Sequence, residues 1–161
     1  MRKMIIAGMI ILCVILVFTR SQEKKEIRVR IIPNSDEVSD LKVKEKAKNI
    51  TVCYLKEAYD DNYNSYLKNL KETISYFESV LEKELKENVE VQLGNHTLYN
   101  KTYNNNAVEN KNAMTLYVIL GEGKGSNWWG TVYPEFLSVN SSEEVKYESL
   151  ILSIFKKIKG E

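Results

Sequence analysis

The sequence predicts an α+β fold: a small mixed sheet packed by about three helices, behind one N-terminal membrane or signal segment. Three observations carry this reading. Stretches of period-two and period-3.6 hydrophobicity follow one another along residues 26–158, with no internal repeat. Residues 4–18, from Met4 to Phe18, form an unbroken apolar run between Arg2-Lys3 and Arg20. The remainder, residues 22–161, has the length of one domain with room for a real core.

The apolar run makes a helix of roughly 22 Å, short of the ~30 Å hydrocarbon core of a bilayer. That length suits a signal-peptide core, or a short anchor whose flanking Arg and Lys snorkel. Leu12 stands before Cys13 where a lipobox needs a small residue. The chain therefore divides into 1–21, a signal peptide or signal anchor, and 22–161, an extracytoplasmic domain. A very short basic tail stays in the cytoplasm, which fits an exported domain without by itself requiring one. The basic residues Arg20, Lys24, Lys25, Arg28 and Arg30 beyond the run favour the opposite orientation, and a C-terminal reporter fusion decides between the two.

Residues 26–32 alternate, with Ile27, Val29 and Ile31 on one face and Arg28 and Arg30 on the other, as in a half-buried strand. Pro33-Asn34-Ser35-Asp36 stops it, and Ser35, Asp36 or Ser39 can cap the next helix. There Val43, Ala47, Ile50, Tyr54 and Ala58 mark an amphipathic helix with Lys and Glu outside. After a break at Asp60-Asp61-Asn62, a second helix carries Tyr63, Leu67, Leu70, Ile74, Phe77 and Leu81 along one stripe. Asn88 ends it. Val89, Val91 and Leu93 form a second strand, punctuated by Gly94. Residues 95–113 are polar and read as a connector with a short strand around 97–103.

Residues 114–120 are the strongest strand. Met114, Leu116, Val118 and Leu120 face one way, and the other face, Thr115, Tyr117 and Ile119, is also fairly apolar. This strand is expected to be central. Ser141 and Glu144 fit a capping box opening the last helix. Ile151, Ile154, Phe155 and Ile158 form its buried face, and Lys156, Lys157 and Lys159 complement its dipole.

A net charge of +1, with Lys mixed among Glu and Asp, argues against nucleic acid as a partner. Two cysteines, Cys13 and Cys53, build no disulfide framework. The single histidine, His96, makes no zinc site alone and reads as a surface residue. No serine lies in a Gly-x-Ser-x-Gly elbow, and no catalytic constellation, metal site or cofactor is expected. Residues 121–126 are not a phosphate loop, because Gly125 separates Lys124 from Ser126 and tryptophans follow where a helix should open.

What remains is residues 121–134. Gly121, Gly123 and Gly125 permit positive φ at three places, and both tryptophans of the protein, Trp128 and Trp129, follow on the same loop. Adjacent side chains on extended chain point opposite ways, so one indole can enter the core while the other meets a partner. With Asn127, Tyr133 and Pro134 this makes the expected partner-binding surface. The competing reading makes both rings core anchors over a plain turn. Asn34, Ser35 and Asp36 are the secondary contact patch, against a simple cap-and-turn role.

The segment Gly121-Glu122-Gly123-Lys124-Gly125-Ser126-Asn127-Trp128-Trp129, with Tyr133-Pro134 after it, resembles the signature of the stage II sporulation protein R family. The opening strand Ile27-Arg28-Val29-Arg30-Ile31-Ile32-Pro33 with its Asn34-Ser35-Asp36 turn is similar too. So is Leu93-Gly94-Asn95 followed by Lys101 and Tyr103. The pieces come in the family's order over most of residues 26–158. The family tends to place a cysteine after the Trp pair and another after the prolines that follow. Here Gly130 takes the first place and residues 134–137 offer none, so this is a diverged member in which a disulfide at that loop is not implied.

The resemblance implies a non-enzymatic signal made in the forespore and exported to the space between forespore and mother cell, anchored there or released. Its implied partner is a membrane-embedded aspartic protease of the mother cell, which cleaves a sigma-factor precursor. The N-terminal segment supplies the membrane contact. The alternative is an extracytoplasmic cell-wall factor or hydrolase that holds a glycan or peptide on the Trp loop.

Overall fold

The computed structural model describes residues 25–98, 101–103, 106–108, 111–136 and 144–160. The expected membrane segment and the Ser141 cap lie outside these residues. Among the described residues the order is β1 (Ile27–Ile32), α1 (Val38–Ala58), α2 (Tyr63–Leu85), β2 (Val89–Leu98), β3 (Lys101–Tyr103), β4 (Asn106–Val108), β5 (Lys111–Leu120), β6 (Trp128–Tyr133) and α3 (Glu144–Lys159). No helix of the described residues is long and apolar enough to cross a membrane.

The main sheet is four-stranded and mixed, in the order β2-β5-β1-β6. β1 runs parallel to β5 and antiparallel to β6, and β2 runs antiparallel to β5. As the hydrophobic pattern requires, β5 is an inner strand. Its helix-facing residues Leu116, Val118 and Leu120 join Ile27, Val29 and Ile31 of β1 and Val89 and Val91 of β2 in one core. Removing each such side chain from water is worth about 1.5–3 kcal/mol. All three helices feed this same core, so they cover one face of the sheet. The opposite face carries Arg28, Arg30, Thr115, Tyr117, Trp129 and Thr131, which are absent from it.

α1 departs from the expected amphipathic pattern. From Ala47 to Leu55 its side chains are buried nearly all round, Asn49 and Thr51 included, because both α2 and α3 pack on it beside the sheet. Tyr54 stacks face to face on Phe77 of α2, with centroids 3.8 Å apart, and lies 6.0 Å from Phe155 of α3. Its hydroxyl shares a 2.6 Å hydrogen bond with Thr73. Burial raises the pKa of this phenol, and likewise that of Tyr66.

Helix ends also differ from expectation. None of Ser35, Asp36 or Ser39 is the N-cap of α1; Glu37 holds that position and makes no side-chain cap bond. Asn62 caps α2 instead, its Oδ1 accepting from the N–H groups of Asn64 (2.9 Å) and Ser65 (3.2 Å). Asn62→Ala is expected to cost about 1 kcal/mol, read as a lower urea midpoint at unchanged slope. α2 ends at Leu85, before Asn88, with Lys86 in the left-handed region at φ 57°. Ile158, expected on the buried face of α3, is 42% exposed.

The strand expected around 97–103 is present, as the end of β2 and as β3, and it belongs to a longer ladder than the connector reading allowed. β2 runs through Gly94, which pairs with Thr115, and continues to Leu98 opposite Lys111. β3 and β4 then pair in step with it, Lys101 against Val108, three residues further along each strand. On β5, β1 pairs only with Met114 to Ile119, so His96–Leu98 of β2 lie opposite a stretch of β5, Lys111 to Ala113, that β1 does not reach. Polar strands bury little surface, which is why the hydrophobic pattern hid this ladder.

Candidate functional site

Parallel pairing of β1 and β5 brings their C-terminal ends to one pole. The turn after β1, Pro33 to Glu37, therefore meets the loop after β5, residues 121–127. The two expected patches become one structure. The Asn34 Oδ1 accepts from Glu122 N–H (2.9 Å), and the Asn34 carbonyl accepts from Lys124 N–H (3.1 Å). The Pro33 carbonyl accepts from Gly125 N–H (3.0 Å). Asp36 accepts from both the N–H (2.6 Å) and the hydroxyl (3.0 Å) of Ser126. Lys44 of α1 donates to the Ser126 carbonyl at 3.1 Å. Behind the turn, Asp40 accepts from the Asn34 amide (2.9 Å) and the Ser35 hydroxyl (2.7 Å).

This latch explains two of the glycines. Gly121 and Gly123 take φ +57° and +62°, but Gly125 does not share that conformation. Gly125 is needed for close approach: a Cβ there would stand 2.4 Å from the Ser35 carbonyl oxygen. A Cβ on Gly121 would stand 2.5 Å from Asn34 Oδ1. Of the three glycines read from sequence as sites of positive φ, Gly121 and Gly125 let the two loops lock together, while Gly123 makes room for Ile119 of the preceding strand.

The latch is held by charge. Hydrogen bonds from the Ser126 N–H and hydroxyl, then the nearby Lys44, keep the Asp36 carboxyl below the usual 3.8. The Ser35 hydroxyl and then the Asn34 amide do the same for Asp40. A depressed carboxylate pKa contributes stability that is present above the unfolded value and lost as pH falls through the folded one. The thermal midpoint is therefore expected to drop on acidification below about pH 4, and Asp36→Ala is expected to flatten that drop.

The Trp pair lies on the first two residues of β6 rather than on the loop. Neither ring is fully buried. Trp128 pairs with Ile31, packs on the core, and has Lys48 Nζ 5.8 Å from its ring. Trp129 pairs with Arg30 and so points to the face that the helices leave. Asn127 is half-buried beside the latch. Tyr133 and Pro134 do not share this pole. They stand at the far end of β6, about 16 Å away along the strand at ~3.3 Å per residue.

There Tyr133 lies among Tyr59, Tyr63 and Tyr66 and donates to the Asp61 carbonyl at 3.0 Å. Tyr59 donates to the Pro134 carbonyl at 3.1 Å. Residues 121–134 thus form two separate assemblies, one at each end of a strand that sequence spacing alone could not measure.

A cleft beside the latch, lined by Asn34, Asp40, Val43, Glu87, Leu120 and Gly121, has a volume of about 10 Å³, room for one water. His96 is half-buried against Tyr117, with ring centroids 4.3 Å apart. Among the described residues no three His, Cys, Asp or Glu side chains are grouped to hold a metal.

Sequence reading missed Asp40, Lys44 and Ser126 as latch residues, and Arg30 and Tyr117 as neighbours of the Trp pair. The alternation in β1 and β5 set Arg30 and Tyr117 on the non-core face, but their adjacency needed the register.

A family model described as stage II sporulation protein R matches residues 23–143. No curated protein and no solved structure is significantly similar to the chain. The family match takes in both halves of the latch, the Trp pair, and every strand among the described residues. The chain belongs to the stage II sporulation protein R family, and its role is in sporulation.

Proposed function

We propose that this protein is an exported sporulation signal that acts by contact. It leaves the forespore, stays at or near the membrane through its N-terminal segment, and engages a membrane-embedded aspartic protease of the mother cell. The engaged protease cleaves a sigma-factor precursor, and the signal itself cuts nothing. A ligand of this kind works by binding the active arrangement of its partner better than the inactive one.

Family membership supports this reading, and one structural observation carries it. The latch and β6 fix two adjacent indoles on opposite faces of a sheet, so Trp128 anchors the strand in the core while the half-buried Trp129 lies on the face that the helices leave. A ring held by a rigid strand loses little freedom on docking, which is the property of a contact anchor.

The test is co-expression of the chain, the protease and the precursor in a host that lacks all three. Precursor cleavage that requires this chain is the expected result. Equal cleavage without it removes the signalling role.

A further inference from the structure

We propose that the partner docks on the helix-free face of the sheet and that the Arg30 guanidinium receives a carboxylate from an acidic side chain of that partner. This rests on the contact-signalling reading above and names the surface that performs it.

Four strands place one row of side chains across this face. Trp129 of β6 pairs with Arg30 of β1, Arg30 with Tyr117 of β5, and Tyr117 with Gln92 of β2. Directly opposed residues have Cβ atoms about 5 Å apart, so the row is continuous. The Arg30 Cζ lies 5.7 Å from the Tyr117 ring centroid, a cation–π distance. Trp, Tyr and Arg are the residue types most enriched at the energetic centres of protein interfaces.

The charges of the face are unevenly paired: Arg28 and Arg30 share it with Glu26 and, on β2, with Glu90, whose carboxylate accepts from the Gln92 amide at 2.6 Å. Arg28, only 1% exposed, is paired by two hydrogen bonds to Glu26, at 2.8 and 3.0 Å, and Thr131 donates to the same carboxylate at 3.1 Å. Glu26 is thereby used up. Arg28 still has a buried NH1 without an acceptor, and Arg30 a buried Nε without one. Among the described residues Arg30 has no carboxylate partner. Buried guanidinium donors left unmade are costly and rare. Arg30 as a residue is half-buried, so a partner carboxylate would meet its outer guanidinium nitrogens rather than the covered Nε, and it matches their donor geometry and sign better than any neutral acceptor. The aromatic side chains flanking Arg30 would shield the pair from water, where such a pair gains most.

The experiment is the three-component co-expression with the full chain, comparing the parent with Arg30→Met, Arg30→Lys and the remote Lys83→Met on exposed α2. Arg30→Met keeps the stem and removes the charge. We expect it to slow precursor cleavage at least about tenfold, Arg30→Lys to recover part of the rate, and Lys83→Met to match the parent. Thermal unfolding of each variant accompanies the rates.

Cleavage by Arg30→Met at the parent rate overturns the inference and leaves the signalling role standing. A loss matched by a fall in thermal midpoint also overturns it, because the guanidinium then serves the fold. No cleavage with the parent chain overturns the signalling role, and this inference with it.

Discussion

Gly125→Ala is expected to lower the thermal midpoint by about 6–9 °C and to loosen the Gly/Trp pole. An added Cβ would lie 2.4 Å from the Ser35 carbonyl oxygen and 2.6 Å from its carbon. Both are backbone atoms, and the Ser35 turn is itself tied to Asp40 and α1, so neither side can yield cheaply. Forcing an extra methyl into such a contact costs roughly 2–3 kcal/mol. For a chain of this size each kcal/mol moves the midpoint about 3 °C.

The same change at Gly160 meets no atom within 4 Å, although its φ is +75°. It should cost only the strain of the left-handed backbone, about 1 kcal/mol. Circular dichroism melting of the two variants beside the parent checks the contrast. An unshifted Gly125→Ala would mean that the latch is not a rigid support for β6.

The second large effect divides the two tryptophans. Trp128→Ala removes a ring packed on the core and half-shielded from water. A fully buried aromatic costs 3–5 kcal/mol to truncate, so about 2 kcal/mol is expected here, with a midpoint lower by about 6 °C. Trp129→Ala removes a ring from the face that the helices leave. It is half-buried but does not pack on the core, so its stability cost is expected to be smaller than that of Trp128→Ala, about 1 kcal/mol. Precursor cleavage in the co-expressed system is expected to fall at least about tenfold, because interface tryptophans are disproportionately energetic. Melting curves and cleavage rates on both single variants measure the division. Equal loss of stability in the two would return the pair to a purely structural role.

The core elements were legible because their signals are local. Alternation of Ile27, Val29 and Ile31 with arginines fixed both the strand and the face it buries. Of the stripe that marked α2, Leu70, Phe77 and Leu81 are buried, whereas Tyr63, Leu67 and Ile74 are half-buried and Tyr66, Thr73 and Val80 join the buried side. The surroundings of α1 were not legible, because burial of Asn49 and Thr51 depends on α3 arriving from a hundred residues away. Nor was the pairing of Asn95–Leu98 with Lys111–Met114 marked by any alternation, since Asn95, His96, Thr97, Lys111 and Asn112 give no apolar face to follow.

The candidate site was half legible. Sequence reading singled out the Asn34-Ser35-Asp36 turn and the Gly loop as separate places. Their union follows from the parallel β1–β5 pairing, a long-range fact with no local mark. Tyr133 and Pro134 looked contiguous with Trp129 because they are close in number. An extended strand carries them to the other pole, where they fasten β6 to the α1–α2 turn through Asp61 and Tyr59. Arg30 was read only as the solvent side of a strand. Its neighbours Trp129 and Tyr117, and the lack of a carboxylate partner among the described residues, give it meaning.

Site-specific photocrosslinking in cells carrying the protease tests the contact surface most directly. A photoreactive phenylalanine at Trp129 should give a covalent adduct with the protease, and one at Lys83 on exposed α2 should give none. Adducts from position 83 but not from 129, in cells where the precursor is still processed, would contradict the surface named here.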